Sequence, residues 1–147
     1  MSEKTRDTKT FSAVEREAMK QRAAELKAEK ANKSREAGQA ALDEAIAAMP
    51  EHEKRIATIF ARIVAEVAPD LTPKTYYGFP AFARDGKVLC FFQPSTKFNT
   101  RYPTIAFEDK AQLDDGNMWP VAYGVGPEFT AADEERLTAI IRKAVGA

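Results

Sequence analysis

Apolar residues recur along this chain with two different periods, and the change from one to the other organises it. Between Leu42 and Val67 the period is helical. Leu42, Ile46 and Met49 fall at i, i+4 and i+7 and predict one face of a helix, which Pro50 interrupts. Pro50 also suits the first turn of a following helix, because its fixed φ is already helical and it lacks only an N–H that would have no partner there. In "EHEKRIATIFARIVAEVAPD" a wide stripe of Ile56, Ile59, Phe60, Ile63, Val64 and Val67 predicts that helix, ending near Pro69. Two antiparallel or angled helices are expected.

After Leu71 the period shortens. "PAFARDGKVLCFF" holds Asp85-Gly86 between apolar segments, a two-residue hairpin signal, because a type I′ turn requires positive φ at both positions. "KVLCFF" is apolar on both faces and predicts a central strand covered on both sides. "RYPTIAFED" and "MWPVAYGV" predict a third and a fourth strand, turned by Asp114-Asp115-Gly116. "FTAADEERLTAIIRKAV" closes the chain as a helix, with Thr130 as N-cap, Asp133 at N3, and Leu137, Ile140, Ile141 and Val145 on one face. Helices, then strands, then a helix is the α+β pattern: an antiparallel sheet of about four or more strands packed against helices on one face.

Charge separates an arm from this body. The formal net charge is zero, but ten basic and seven acidic residues in 1–38 leave twelve basic against fifteen acidic in 39–147. The arm is expected to begin with a mobile stretch and to form a helix over about 12–31. Ser12 would be its N-cap, Glu15 would complete a capping box, and Phe11 would be a hydrophobic staple. Phe11, Val14, Ala18, Met19 and Leu26 make only a narrow stripe, suited to weak docking on the body or on a second subunit as a homodimer contact. Residues 32–38 read as a link, with Gly38 as a break.

Composition excludes several functions. With 44% hydrophobic and 30% charged residues the chain is of globular type. Its balanced charge and mixed-sign arm argue against nucleic acid. The charged start and the absence of a long apolar run lead to the expectation of a cytoplasmic protein without membrane contact. One cysteine, Cys90, and one histidine, His52, cannot supply a tetrahedral N/S zinc site, and the apolar neighbours of Cys90 disfavour its thiolate. No nucleophile elbow, phosphate loop, dinucleotide turn or H-E-x-x-H pair occurs, so no catalytic residue is assigned.

Two clusters remain as candidate chemistry. Glu108, Asp109, Asp114 and Asp115 lie around one turn and could gather a hard cation, although acidic turns of this kind also serve as solvated turn formers. "YYGFPAF", residues 76–82, concentrates aromatics at a backbone bend. Gly78 permits unusual φ, and Pro80 removes a donor and extends Phe79. Where the sheet is left incompletely paired at this bend, Tyr77, Phe79 and Phe82 could line a groove with Phe92, Tyr102 and Trp119. Lys97 and Arg101 would hold a polar or anionic group at its rim. The alternative is that these aromatics are simply core.

"TYYGFPAF" followed by the hairpin, "KVLCFFQPSTKF" and an aromatic-rich strand resembles the YdhG-like domain family of bacteria, over roughly residues 40–145. The resemblance implies a compact α+β domain of the frataxin-like and YjbR-like grouping, and for some relatives an iron-chaperone label drawn from that grouping. Here the acidic residues of the first body helices, Asp43, Glu44, Glu51 and Glu53, are diluted by Lys54 and Arg55, and the family's motif methionine is replaced by Phe79. The expectation is therefore a non-enzymatic domain that binds an unknown small molecule or protein in the aromatic groove, without cofactor. Iron enters only under the alternative of a frataxin-like metal chaperone.

Overall fold

Helical period becomes helix, and alternating period becomes sheet, in the computed structural model of the protein, which describes residues 12–146. Among the described residues four helices and five strands follow in the order α1 Ala13–Ala47, α2 Glu51–Val67, β1 Thr72–Tyr76, β2 Phe79–Arg84, β3 Lys87–Gln93, α3 Ser95–Phe98, β4 Thr104–Phe107, β5 Ala122–Gly124 and α4 Ala131–Val145. The sheet is an antiparallel meander in sequence order, β1-β2-β3-β4-β5. The fold is α+β.

The expected link over 32–38 is absent, because α1 continues through it. Gly38 is not a helix break. A Cβ at this position would lie 2.0 Å from the carbonyl oxygen of Pro73, so glycine is required where the helix backbone meets the start of β1. The chain divides into two compact units between Ser34 and Arg35. In the first, the described helical residues are exposed, including Val14, Met19 and Leu26. Ser12 accepts the Glu15 N–H at 3.1 Å as expected of an N-cap, while the Phe11 staple and the arm's start lie outside the described residues. The second unit begins where Arg35 donates to the Leu71 and Pro69 carbonyls at 2.9 and 3.0 Å.

In this second unit Leu42 and Ile46 of α1 join Ile56, Phe60, Ile63 and Val64 of α2 and Leu137, Ile141 and Val145 of α4 in the main core. The sheet contributes Phe82, Cys90, Phe92, Ile105 and Phe107 to that core. Pro50 occupies the N-cap of α2, one position earlier than the helical first turn anticipated for it. β3 is covered on both faces, since Val88 and Phe91 belong to a second cluster with Phe79 and Ala81.

The Thr130/Asp133 capping box of α4 is complete: the Thr130 hydroxyl accepts the Asp133 N–H, and the Asp133 carboxylate accepts the Thr130 N–H at 2.7 Å. These bonds from Thr130 hold the Asp133 carboxyl below its usual range. Thr130→Ala should cost about 1 kcal/mol, the usual worth of such a cap, measured by urea denaturation.

Strand β1 was not anticipated. Tyr77 and Gly78 have φ of 50° and 81°, and Tyr76 pairs with Phe79, so the presumed bend is a tight two-residue hairpin turn of the same kind as Asp85-Gly86. Pro80 was expected to leave the sheet incompletely paired, yet it sits opposite Thr75 in the ladder. Alternation from the turn makes this a non-hydrogen-bonded pair, and the register with β3 starts only at Ala81, so the missing N–H is not needed on either side.

Candidate functional site

Side chains alternate across a strand, and this alternation disperses the expected aromatic groove. Phe82 and Phe92 point into the main core, where both approach Phe60, with ring centroids 5.8 and 6.4 Å from it. Phe79 lies on the opposite face, stacked on Phe91 at 5.5 Å and edge-on to Phe98 at 5.0 Å. Tyr76 joins that outer cluster, 5.3 Å from Phe91 and 4.6 Å from Tyr77. Desolvation, and after it the neighbouring Glu108 carboxylate, push the Tyr76 phenol up, which keeps it a neutral donor. Tyr77 is 78% exposed on the turn and Pro80 is buried in β2.

Tyr102 and Arg101 lie elsewhere. The Arg101 guanidinium stacks 4.6 Å over the Tyr102 ring, which packs against Gly124 of β5. Trp119, 39% exposed, belongs to the loop between β4 and β5. The groove as a single site is therefore not assembled. Its Tyr77, Tyr102 and Trp119 are exposed at three separate places, the β1–β2 turn, the side of β5 and the β4–β5 loop, whereas its phenylalanines are core.

Two of the expected residues, Gly78 and Lys97, do meet, at a different cavity. It has a volume of about 530 Å³ and opens between the α1–α2 junction, the β1–β2 turn and α3. Ala45, Ala48, Met49, Pro50 and Pro94 supply its apolar wall, and Glu53, Thr96 and Lys97 its polar groups. The positive φ of Gly78 and the absence of a side chain there leave room for Lys97, whose Nζ would stand 2.8 Å from an added Cβ. The same ammonium lies 5.6 Å from the Phe98 ring centroid.

Glu53 is the residue that sequence reasoning missed, counting it only among the acids diluted by Lys54 and Arg55. It is 0% exposed. Its Oε1 accepts the Ser95 N–H at 2.7 Å, the Thr96 N–H at 3.0 Å and the Ser95 hydroxyl, which ties the first turn of α2 to the start of α3. Burial would push the carboxyl up, but the Ser95 hydroxyl and the two backbone N–H groups outweigh it and hold Glu53 below the usual carboxylate range. Its Oε2 is buried and has no hydrogen-bond partner among the described residues. A signal was present in the pattern: Glu53 lies at i−3 and i−7 from Ile56 and Phe60, on the apolar stripe of its helix.

Glu108, Asp109, Asp114 and Asp115 do not form a cation site together, and among the described residues no three His, Cys, Asp or Glu side chains are grouped to hold a metal. Cys90 is fully buried, and burial pushes its thiol far above the range where a thiolate forms. His52 lines a smaller cavity beside Arg101 and Tyr102 that Cys90 does not line. Among the described residues no helix is long and apolar enough to cross a membrane. Comparison with protein-family models, with curated proteins and with solved structures gives no match for this chain.

Proposed function

We propose that the protein is a non-enzymatic small-molecule binding domain, of the YdhG-like type its motif resembles, with its ligand in the Glu53–Lys97 cavity. The observation that carries this reading is the cavity itself, about 530 Å³ in volume, with an apolar wall of Ala45, Ala48, Met49, Pro50 and Pro94 on which Thr96 and Lys97 converge. A cavity of several hundred Å³ with an apolar wall and a few convergent polar groups has the size and make-up of a small-molecule site. The surrounding aromatics then have a supporting part. The Tyr76–Phe79–Phe91–Phe98 cluster braces the hairpin turn and α3 from the outer face, and so positions Gly78 and Lys97.

Native mass spectrometry of the protein purified from its own cells, beside Ala48→Trp, tests this reading. Ala48 is an exposed part of the wall, so the indole should fill the cavity without disturbing the core. The expected result is an organic mass retained by the unaltered protein and lost from the variant. An unaltered protein carrying no such mass, or a variant retaining it equally, would sink the binding reading.

A further inference from the structure

We infer a second binding site, separate from the Lys97 cavity: Arg101 and His52 take a small organic oxyanion, a carboxylate or a phosphate, in the cavity of about 180 Å³ that they line together with Tyr102 and Pro127. Neither Lys97 nor Gly78 lines it. Charge selects the class of ligand. Residues 39–147 hold fifteen acidic against twelve basic residues, yet among the described residues no acidic side chain lines this cavity. Two further cavities, of about 350 and 410 Å³, open on the same Arg101–Tyr102 pair, and no acid lines these either. Neither Arg101 nor His52 forms a salt bridge among the described residues, and both side chains are exposed, so a ligand can reach them. Glu53 is bonded to Ser95 in the same wall but has no exposed surface, and three donors answer its Oε1.

The arginine is held ready for such a group. Its guanidinium stacks 4.6 Å over the Tyr102 ring, and that ring lies on Gly124, where an added Cβ would stand 2.8 Å from it. Stacking uses the face of the guanidinium plane and leaves the N–H groups at its edge for a bidentate pair with an oxyanion, the geometry that carboxylates and phosphates share. The segment that carries the pair is pinned as well: the Thr100 N–H donates to the Ser95 carbonyl at 3.0 Å, and the Thr100 hydroxyl to the Tyr102 carbonyl at 3.1 Å. A side chain ordered before binding loses less freedom on binding. His52, in the first turn of α2, brings an N–H donor in either of its protonation states. The exposed Tyr102 ring and Pro127 place apolar surface beside these donors, which suits an acid on a small apolar body. A neutral ligand would leave the Arg101 charge unanswered, and a cation would be repelled by it.

Benzoate and phenyl phosphate are the probes, with benzyl alcohol as the neutral control and benzylamine as the cationic one, in about 0.15 M sodium chloride so that loose surface attraction is screened. Backbone amide shifts of Arg101, Tyr102, Val125 and Gly126 report this site, and those of Ala45, Met49 and Gly78 report the Lys97 cavity. At least one of the two anions should shift the first set, and the tighter of them identifies the acid group. Both controls should bind roughly tenfold more weakly or less, about 1.4 kcal/mol, and Arg101→Met should cost the anion at least as much. His52→Ala should weaken the anion too, and Lys97→Met should leave it unchanged. All three side chains are exposed, so the variants should keep the fold. An affinity left intact by Arg101→Met or by His52→Ala overturns the assignment, as does benzyl alcohol binding as tightly as the anions, or Lys97→Met costing as much as Arg101→Met. Amides of the first set unmoved by either anion at about 10 mM overturn it as well. None of these results bears on the Lys97 cavity, which the Ala48→Trp comparison decides separately.

Discussion

Alanine at Gly38 is expected to destabilise the protein by about 1–3 kcal/mol, the usual cost of forcing an extra carbon into packed structure, even though the exchange favours the isolated helix by about 1 kcal/mol. The two effects have opposite signs, and geometry decides between them. The added Cβ would sit 2.0 Å from the Pro73 carbonyl oxygen and 3.1 Å from its carbon, and both are backbone atoms of a strand start that cannot rotate away. Helix α1 or β1 must shift as a whole. The shift would strain the bonds from Arg35 to Leu71 and Pro69, one helical turn earlier, and would move Ala45 and Met49 at the end of the helix. Urea denaturation measures the stability, and the amides of Ala45 and Met49 report the displacement. A variant as stable as the parent would mean that the helix and β1 do not approach this closely.

Gly38 also shows where the sequence stops being legible. A glycine near the end of a charged segment has the same local signature whether it breaks a helix or admits a neighbouring strand, because the neighbour lies 35 positions away in "LTPKTYY". Periodicity, by contrast, is local, and the stripe of α2, the Asp85-Gly86 turn and the Thr130 capping box could all be read from it. β1 escaped detection because "TPKTY" has no apolar alternation: only Pro73 is buried. Without β1, Tyr77-Gly78 was a bend rather than a turn, and Phe79 and Phe82 could be imagined on one surface. Once the hairpin is closed they sit three positions apart in one strand, on opposite faces. Of the expected site, Gly78 and Lys97 remain together because the turn and α3 are both placed by that hairpin and by β3. Glu53 required only the question of why an acid stands on an apolar stripe.

Replacing Glu53 by alanine should cost on the order of 3 kcal/mol, because it orphans two buried donors and a half-buried one at once, and each buried loss is worth about 1–3 kcal/mol without simple additivity. The donors are the N–H groups of Ser95 and Thr96 and the Ser95 hydroxyl, and water cannot readily replace the carboxylate in a position that is fully buried. The pH dependence distinguishes this cost from a mere packing defect. The folded protein holds the Glu53 carboxyl below its ordinary value of 4.5, so the stabilisation by its charged form is fully present above that pH. It is lost as the pH falls through the lower, folded value, where the carboxylate must take up a proton. The stability difference between the parent and Glu53→Ala should therefore be constant near neutrality and shrink on acidification below 4.5. Urea midpoints at a series of pH values measure it. A difference that stays the same into acid would show that Glu53 acts by filling space and not by its charge.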